Sequence, residues 1–260
     1  MLEFSVDQNG VATIVLNRPD VHNAFDDTLI AGLAGALEKA GADDSVRIVV
    51  LAANGKSFSA GADLNWMRRM ADYSEDENFE DAMRLADMLQ ALDEIPKPTI
   101  AKVQGHAFGG GVGLVACCDI ALCAQSAKFS LSEVRLGLMP SIISPFVVRA
   151  IGAREARRYF QTAERFDAEE AYRIGLVHRV VAPVALDDAA DEIVASLLQG
   201  GPDSQAATKA FIALNHNAPI NKELLRDAAK RIANLRASDE GKEGVSAFLE
   251  KRAPKWRHDA

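Results

Sequence analysis

Two stretches of glycine and other small residues constrain this chain more than any other feature: Ser57-Phe58-Ser59-Ala60-Gly61-Ala62-Asp63 and Gly105-His106-Ala107-Phe108-Gly109-Gly110-Gly111. Each follows an apolar run that reads as a strand, at 46–52 and 99–104, and each precedes a helical pattern. Glycine lets a backbone N–H approach a neighbour with no side chain between them. A helix N-terminus adds unpaired N–H groups and a positive partial charge. One N–H from each loop could together grip a single oxygen that turns negative during a reaction. Spacing alone leaves a second reading open, in which the glycines only permit tight helix–strand packing.

Around these loops, short strands alternate with helices. Residues 2–6 and 11–16 flank Gln8-Asn9-Gly10, a hairpin turn. Asp26 is placed to cap a helix running to about Ala40, with Leu29, Leu33, Ala36, Leu37 and Ala40 on one face. The acidic segment 72–81, poor in aliphatic residues, reads as a mobile, solvated loop. Residues 79–95 read as a helix with Met83, Ala86, Leu89 and Leu92 inward, ended by Pro96 and Pro98. Strands are expected at 120–124 and 128–130. From Pro145 the pattern is helical, near 145–162, 168–174, 186–199, 203–215, 221–237 and 240–251, with one strand at 177–181. The expectation is an α/β fold: repeated strand–strand–helix units over 1–200, then a helical region over 201–260.

Charge and composition exclude several classes. Lys and Arg number 29 against 37 Asp and Glu, a net charge of −8, which disfavours unspecific nucleic-acid binding. No apolar stretch reaches the ~20 residues a bilayer requires. The first residues show no basic, apolar or Arg-rich leader pattern, so the expected compartment is the cytoplasm. Cys117, Cys118 and Cys123 fit no zinc spacing and suit a reducing environment. The histidines, at 22, 106, 178, 216 and 258, are scattered, so no metal site is expected; His106 reads as a surface turn residue. Residues 111–116 match G-x-G-x-x-A, yet Asp119-Ile120 opens the next strand too soon for a dinucleotide-binding helix.

Taken in order, several short motifs resemble the enoyl-CoA hydratase/isomerase (crotonase) superfamily over essentially the full length. They are Leu16-Asn17-Arg18-Pro19 with Asn23-Ala24; Phe58 to Leu64; Pro98-Thr99-Ile100 leading to Gly109-Gly110-Gly111; Cys118-Asp119-Ile120; Phe129 to Glu133 before Gly137 and Pro140; Thr162 to Phe166; and Phe248 to Arg252. The resemblance implies a spiral of strand–strand–helix turns, with C-terminal helices that pack on the core and on neighbouring subunits of a homotrimer or dimer of trimers. It implies an acyl-CoA substrate and no further cofactor, coenzyme A being part of the substrate. It implies backbone N–H groups of Ala62 and Gly110 as an oxyanion hole, Glu133 as a catalytic carboxylate, and Ala60, Gly61, Ala62, Asp63, Leu64, Gly110 and Gly113 along the substrate.

Two departures stand out. Hydratases of the superfamily carry a second glutamate three residues after the oxyanion glycine, where this chain has Gly113. A Gly-Gly-Thr stretch is replaced by Ser141-Ile142-Ile143-Ser144-Pro145, which should reshape the acyl pocket. Residues 132–147, 156–167 and the Cys117-Cys118 pair nevertheless resemble the bacterial methylglutaconyl-CoA hydratase branch of leucine degradation. The expected reaction is therefore addition of water across the C2–C3 double bond, with backbone groups near Gly113 or a carboxylate from 72–81 assisting Glu133. Arg68, Arg69, Arg135 and Arg149 are candidates for a substrate carboxylate. The alternatives are a double-bond isomerase using Glu133 as a proton shuttle, and a non-catalytic or RNA-binding relative; the helix after Asp26 holds only Lys39 against the latter.

Overall fold

The computed structural model describes residues 1–257; His258 and the end of the 201–260 region lie outside them. β1 (Leu2–Val6) and β2 (Val11–Leu16) form the expected hairpin, closed by the Asp7 carboxylate, which accepts from the Asn9 and Val11 N–H groups. α1 (Asp27–Ala42) starts where the Asp26 carboxylate accepts the Leu29 N–H at 2.8 Å. β3 (Ile48–Ala53) is buried nearly throughout, as its β-branched run requires, and is followed by the three-residue β4 (Ser57–Ser59). Two helices follow, α2 (Leu64–Met70) and α3 (Glu75–Glu94).

The pattern then repeats: β5 (Thr99–Val103), β6 (His106–Phe108) and α4 (Gly110–Cys117); then β7 (Ile120–Ala124), β8 (Lys128–Ser130) and α5 (Ser144–Thr162). A two-residue β9 (Phe166–Asp167), α6 (Ala168–Arg173), β10 (Arg179–Val181) and α7 (Leu186–Leu197) complete the core. One sheet has the order β1-β2-β3-β5-β7-β10 and the other β4-β6-β8-β9; only β1–β2 and β8–β9 pair antiparallel. Three times in succession, one strand joins the large sheet, the next joins the small sheet, and a helix returns. This is an α/β spiral of strand–strand–helix turns. Its core packs Leu16, Leu33, Leu51, Phe58, Met88 and Phe129, and a second cluster lies under α7.

The chain passes into α8 (Pro202–Asn215), α9 (Lys222–Ala237) and α10 (Asp239–Glu250) through Gly200-Gly201. Arg47 donates to the carbonyls of Gly200 and Trp256 and so ties this region to the spiral. The three helices leave Ile212, Leu225, Ile232, Phe248 and Leu249 exposed.

Four expectations need correction. The acidic segment is not a loop: from Glu75 onward it is the start of α3. Ser74 accepts the Glu77 N–H while Glu77 accepts the Ser74 N–H, and Glu75, Asp76 and Glu77 stand at the positive end of the helix dipole. Met83 is outside; the buried face runs through Asp81, Met88, Leu89 and Leu92. His106 is on a strand, half-buried and stacked on Phe108, not in a surface turn, and burial pushes its pKa down. The expected 145–162 helix is broken at Gly152, whose φ is +75°.

Candidate active site

The first glycine loop is braced from behind. Asn23, fully buried with φ +53°, accepts the Arg18 N–H and donates to the carbonyls of Asn54 and Ser57. Arg18 pairs with Asp26 at 2.9 Å and Asp63 at 3.3 Å, and Asp63 caps α2 by accepting the N–H groups of Asn65 and Trp66. Phe25 donates to the Gly61 carbonyl and accepts from the Asp63 N–H. These bonds straddle Ala62, whose N–H has no acceptor among the described residues.

The second loop is pinned by Gly109, which turns with φ +50° and donates to the Ser130 carbonyl at 2.9 Å. Gly110 opens α4, so its N–H is one of the orphan donors of a helix start. Packing is equally served. A Cβ on Gly110 would stand 2.9 Å from the Phe25 ring, and one on Gly111 2.7 Å from the Ser59 carbonyl oxygen. The two readings of these glycines therefore hold at once.

Ala60, Gly61, Ala62, Gly110 and Glu133 line one cavity of about 450 Å³. Glu133 begins a short 3₁₀ turn after β8. Its Oε1 comes 3.2 Å from where a Cβ on Gly109 would be, and its Oε2 is buried without a hydrogen-bond partner. Burial pushes its carboxyl above the usual range. Among the described residues no Lys or Arg is paired with it. A carboxyl so placed can give and take a proton. Trp66, 5% exposed, also lines the cavity, and its Nε1 donor has no partner.

The remaining sequence candidates fall elsewhere. Asp63 is committed to its cap and to Arg18, and Leu64 is exposed beyond the cavity wall. Gly113 is buried in α4, and a Cβ there would meet Ile143 Cγ2 at 2.5 Å; it does not line the cavity, whereas Ile143 does. The two sequence departures are thus one: the Ile143 side chain fills the space that a side chain at 113 would need. Arg69 pairs with Asp27, Arg149 with Asp93, and Arg68 donates to Asn65; none of these, nor Arg135, lines the cavity. Asp81, missed as an individual residue, does line it. Among the described residues no group of three or more His, Cys, Asp or Glu could hold a metal ion, and no helix is long and apolar enough to cross a membrane.

Two N–H groups without an acceptor among the described residues and one buried carboxyl face a common cavity, an arrangement able to hold a developing negative charge and to move a proton. The enoyl-CoA hydratase/isomerase family model matches residues 6–259. An enoyl-CoA hydratase structure from Shewanella pealeana superposes with a TM-score of 0.95 at 46% identity, covering 98% of this chain and 95% of that one. The crotonyl-CoA hydratase of Syntrophomonas wolfei is 32% identical over 93% of this chain and 92% of its own length. The trans-2-decenoyl-[acyl-carrier-protein] isomerase of Streptococcus mutans is 32% identical over 97% and 96%. The chain belongs to the enoyl-CoA hydratase/isomerase family and has its crotonase fold.

Proposed function

We propose that this protein is an enoyl-CoA hydratase, a hydro-lyase that adds water across the C2–C3 double bond of an acyl-CoA thioester. The observation that carries the reading is the meeting of Ala62 N–H, Gly110 N–H and the unpaired Glu133 carboxyl at one cavity. Attack of water at C3 moves charge onto the thioester oxygen, where the two N–H groups hold it. Such a donor contributes about 3–4 kcal/mol in comparable sites. Glu133 takes a proton from the water and returns one to C2. Residues 60–64 offer the stretch along which the CoA moiety lies, and coenzyme A enters only as part of the substrate.

The methylglutaconyl group is the acyl group we put first, on the sequence resemblance of 132–147 alone. Its carboxylate meets no Lys or Arg in the cavity lining among the described residues, so Trp66 Nε1–H is the donor we assign to it. The exposed apolar faces of α8–α10 support a homotrimer or a dimer of trimers. The three cysteines are buried and free, with burial pushing the Cys118 thiol up to about 12, which suits a cytoplasmic enzyme.

A second reading, double-bond isomerisation, draws on the single carboxylate at the oxyanion loops and on the Streptococcus relative. Turnover of enoyl-CoA thioesters in deuterated water separates the two. Hydration yields a 3-hydroxyacyl-CoA with deuterium at C2. Migration of the double bond without addition of water overturns the hydratase reading.

A further inference from the structure

Hydration asks two things of a site: a group that moves a proton, and an acceptor that holds the water's other O–H so that its oxygen faces C3. Glu133 can do the first, and position 113 is closed to the second by Ile143. One other acid reaches the cavity. Asp81 sits in the second turn of α3, its side chain only 4% exposed. Arg84, one turn on and half-exposed, donates to Asp81 Oδ1 at 2.7 Å and keeps that charge balanced from outside the lining. Oδ2 has no donor among the described residues. Oδ2 is not sealed off as Glu133 Oε2 is, so in a side chain otherwise enclosed by the cavity wall this oxygen is open to the cavity and set to accept from what enters. Asn78, on the same wall, already spends its amide hydrogens on the Tyr73 and Ser74 carbonyls, so this edge of the cavity presents acceptors.

We infer that Asp81 is a second functional carboxylate of this site, accepting a hydrogen bond from an O–H held in the cavity during the reaction. The inference rests on the hydratase reading. Asp81 forms no covalent bond: water's oxygen bonds to C3, one water proton passes to Glu133, C2 receives a proton from Glu133, and the water's remaining O–H becomes the product hydroxyl. The O–H belongs either to the reacting water or to a hydroxyl on the acyl chain, and substrate choice distinguishes these. Crotonyl-CoA offers Asp81 only the water; 4-hydroxycrotonyl-CoA offers both.

The experiment compares wild type, Asp81→Asn and Asp81→Ser in two assays. One is hydration of each thioester. The other is deuterium wash-in at C2 of butyryl-CoA, which needs Glu133 and the oxyanion donors but no added water. The expected result is a fall of at least ~30-fold in hydration of both thioesters, within the usual range for a group acting on a transferred proton, with wash-in changed by less than about threefold. A fall confined to 4-hydroxycrotonyl-CoA assigns the O–H to the acyl chain. Unchanged hydration of both, or equal losses of hydration and wash-in in variants that keep wild-type circular dichroism and melting, overturns the inference. Absence of hydration by wild type overturns the parent reading instead, and this inference with it.

Discussion

Two hollows in this protein treat charge in opposite ways. The cavity at the glycine loops, about 450 Å³, leaves Glu133 with a buried oxygen that nothing satisfies. The cleft between α5 and α8, about 330 Å³, has its acids matched with bases. There Arg149 pairs with Asp93, and Asp119 accepts Lys209 Nζ at 2.8 Å as well as the N–H and hydroxyl of Thr99. A paired acid holds elements together: Asp119 links β5, the start of β7 and α8. An unpaired one destabilises its own fold slightly and is ready to act on whatever arrives. Motif residues divide along the same line. Asn23, Thr99 and Asp119 belong to the resemblance as firmly as Glu133 does, yet their hydrogen bonds are made within the protein.

The contrast can be broken first at Glu133. Glu133→Gln is expected to lower hydration turnover at least a hundredfold, general acid–base groups contributing ~10²–10⁴. Stability should move the other way. The folded-state pKa of Glu133 is raised by burial, so the stability it contributes is fully present below its unfolded pKa and is lost as pH rises through the folded value. The variant should therefore melt at or above wild type at pH 8, and the gap should close toward pH 4. A lower melting temperature at pH 8 would place Glu133 among the paired acids.

Ala62→Pro removes one of the two proposed oxyanion donors at an exposed position and should cost ~10²–10³ in kcat with a smaller change in CoA-ester affinity. Equal losses in binding and turnover would turn Ala62 into an anchoring residue.

On the other side of the comparison, Asp119→Ala removes the carboxylate that accepts from Lys209 and Thr99, leaving Lys209 only the Lys97 carbonyl. Denaturant unfolding should show a loss of about 2–4 kcal/mol. Activity of the folded fraction should stay within about threefold. A large loss of turnover in folded protein would mean that the cleft takes part in catalysis.

The smallest effect is expected at Gly113→Ala. Its Cβ would press on Ile143, costing about 1–3 kcal/mol as overpacking does, and Ile143→Ala in the same chain should recover part of it. Additive losses in the double variant would show that the two side chains do not compete for the same space.

Most of the large sheet was legible because its strands are short apolar runs, β2, β3 and β5 rich in β-branched residues, with turn residues at their ends. In the small sheet only Lys128–Ser130 was read as a strand: Ser57–Ser59 and His106–Phe108 are three residues each, too short to show alternation, and both were read as parts of loops. The start of α3 carried its own signal, Ser74 followed three residues later by Glu77, but the charge of the segment outweighed it. That same charge hid Asp81, since an Asp among acids reads as solvated and only the turn of α3 shows it facing inward. Glu133 and the glycines were legible through the motifs. The state of Gly113 was not, because what decides it is Ile143, thirty positions away in sequence and in contact only once α5 packs on α4.

The contact between Gly113 and Ile143 also bears on how such a site can change over time. A glutamate arriving alone at 113 would collide with Ile143. A smaller residue arriving alone at 143 would open a void beside α4. Either step taken singly weakens the fold before the other can profit from it. The two positions are locked together, and a lineage carrying this pair can reach a two-glutamate arrangement only by changing both nearly at once. Selection for better water activation would sooner act on residues already free to vary around the cavity than on position 113.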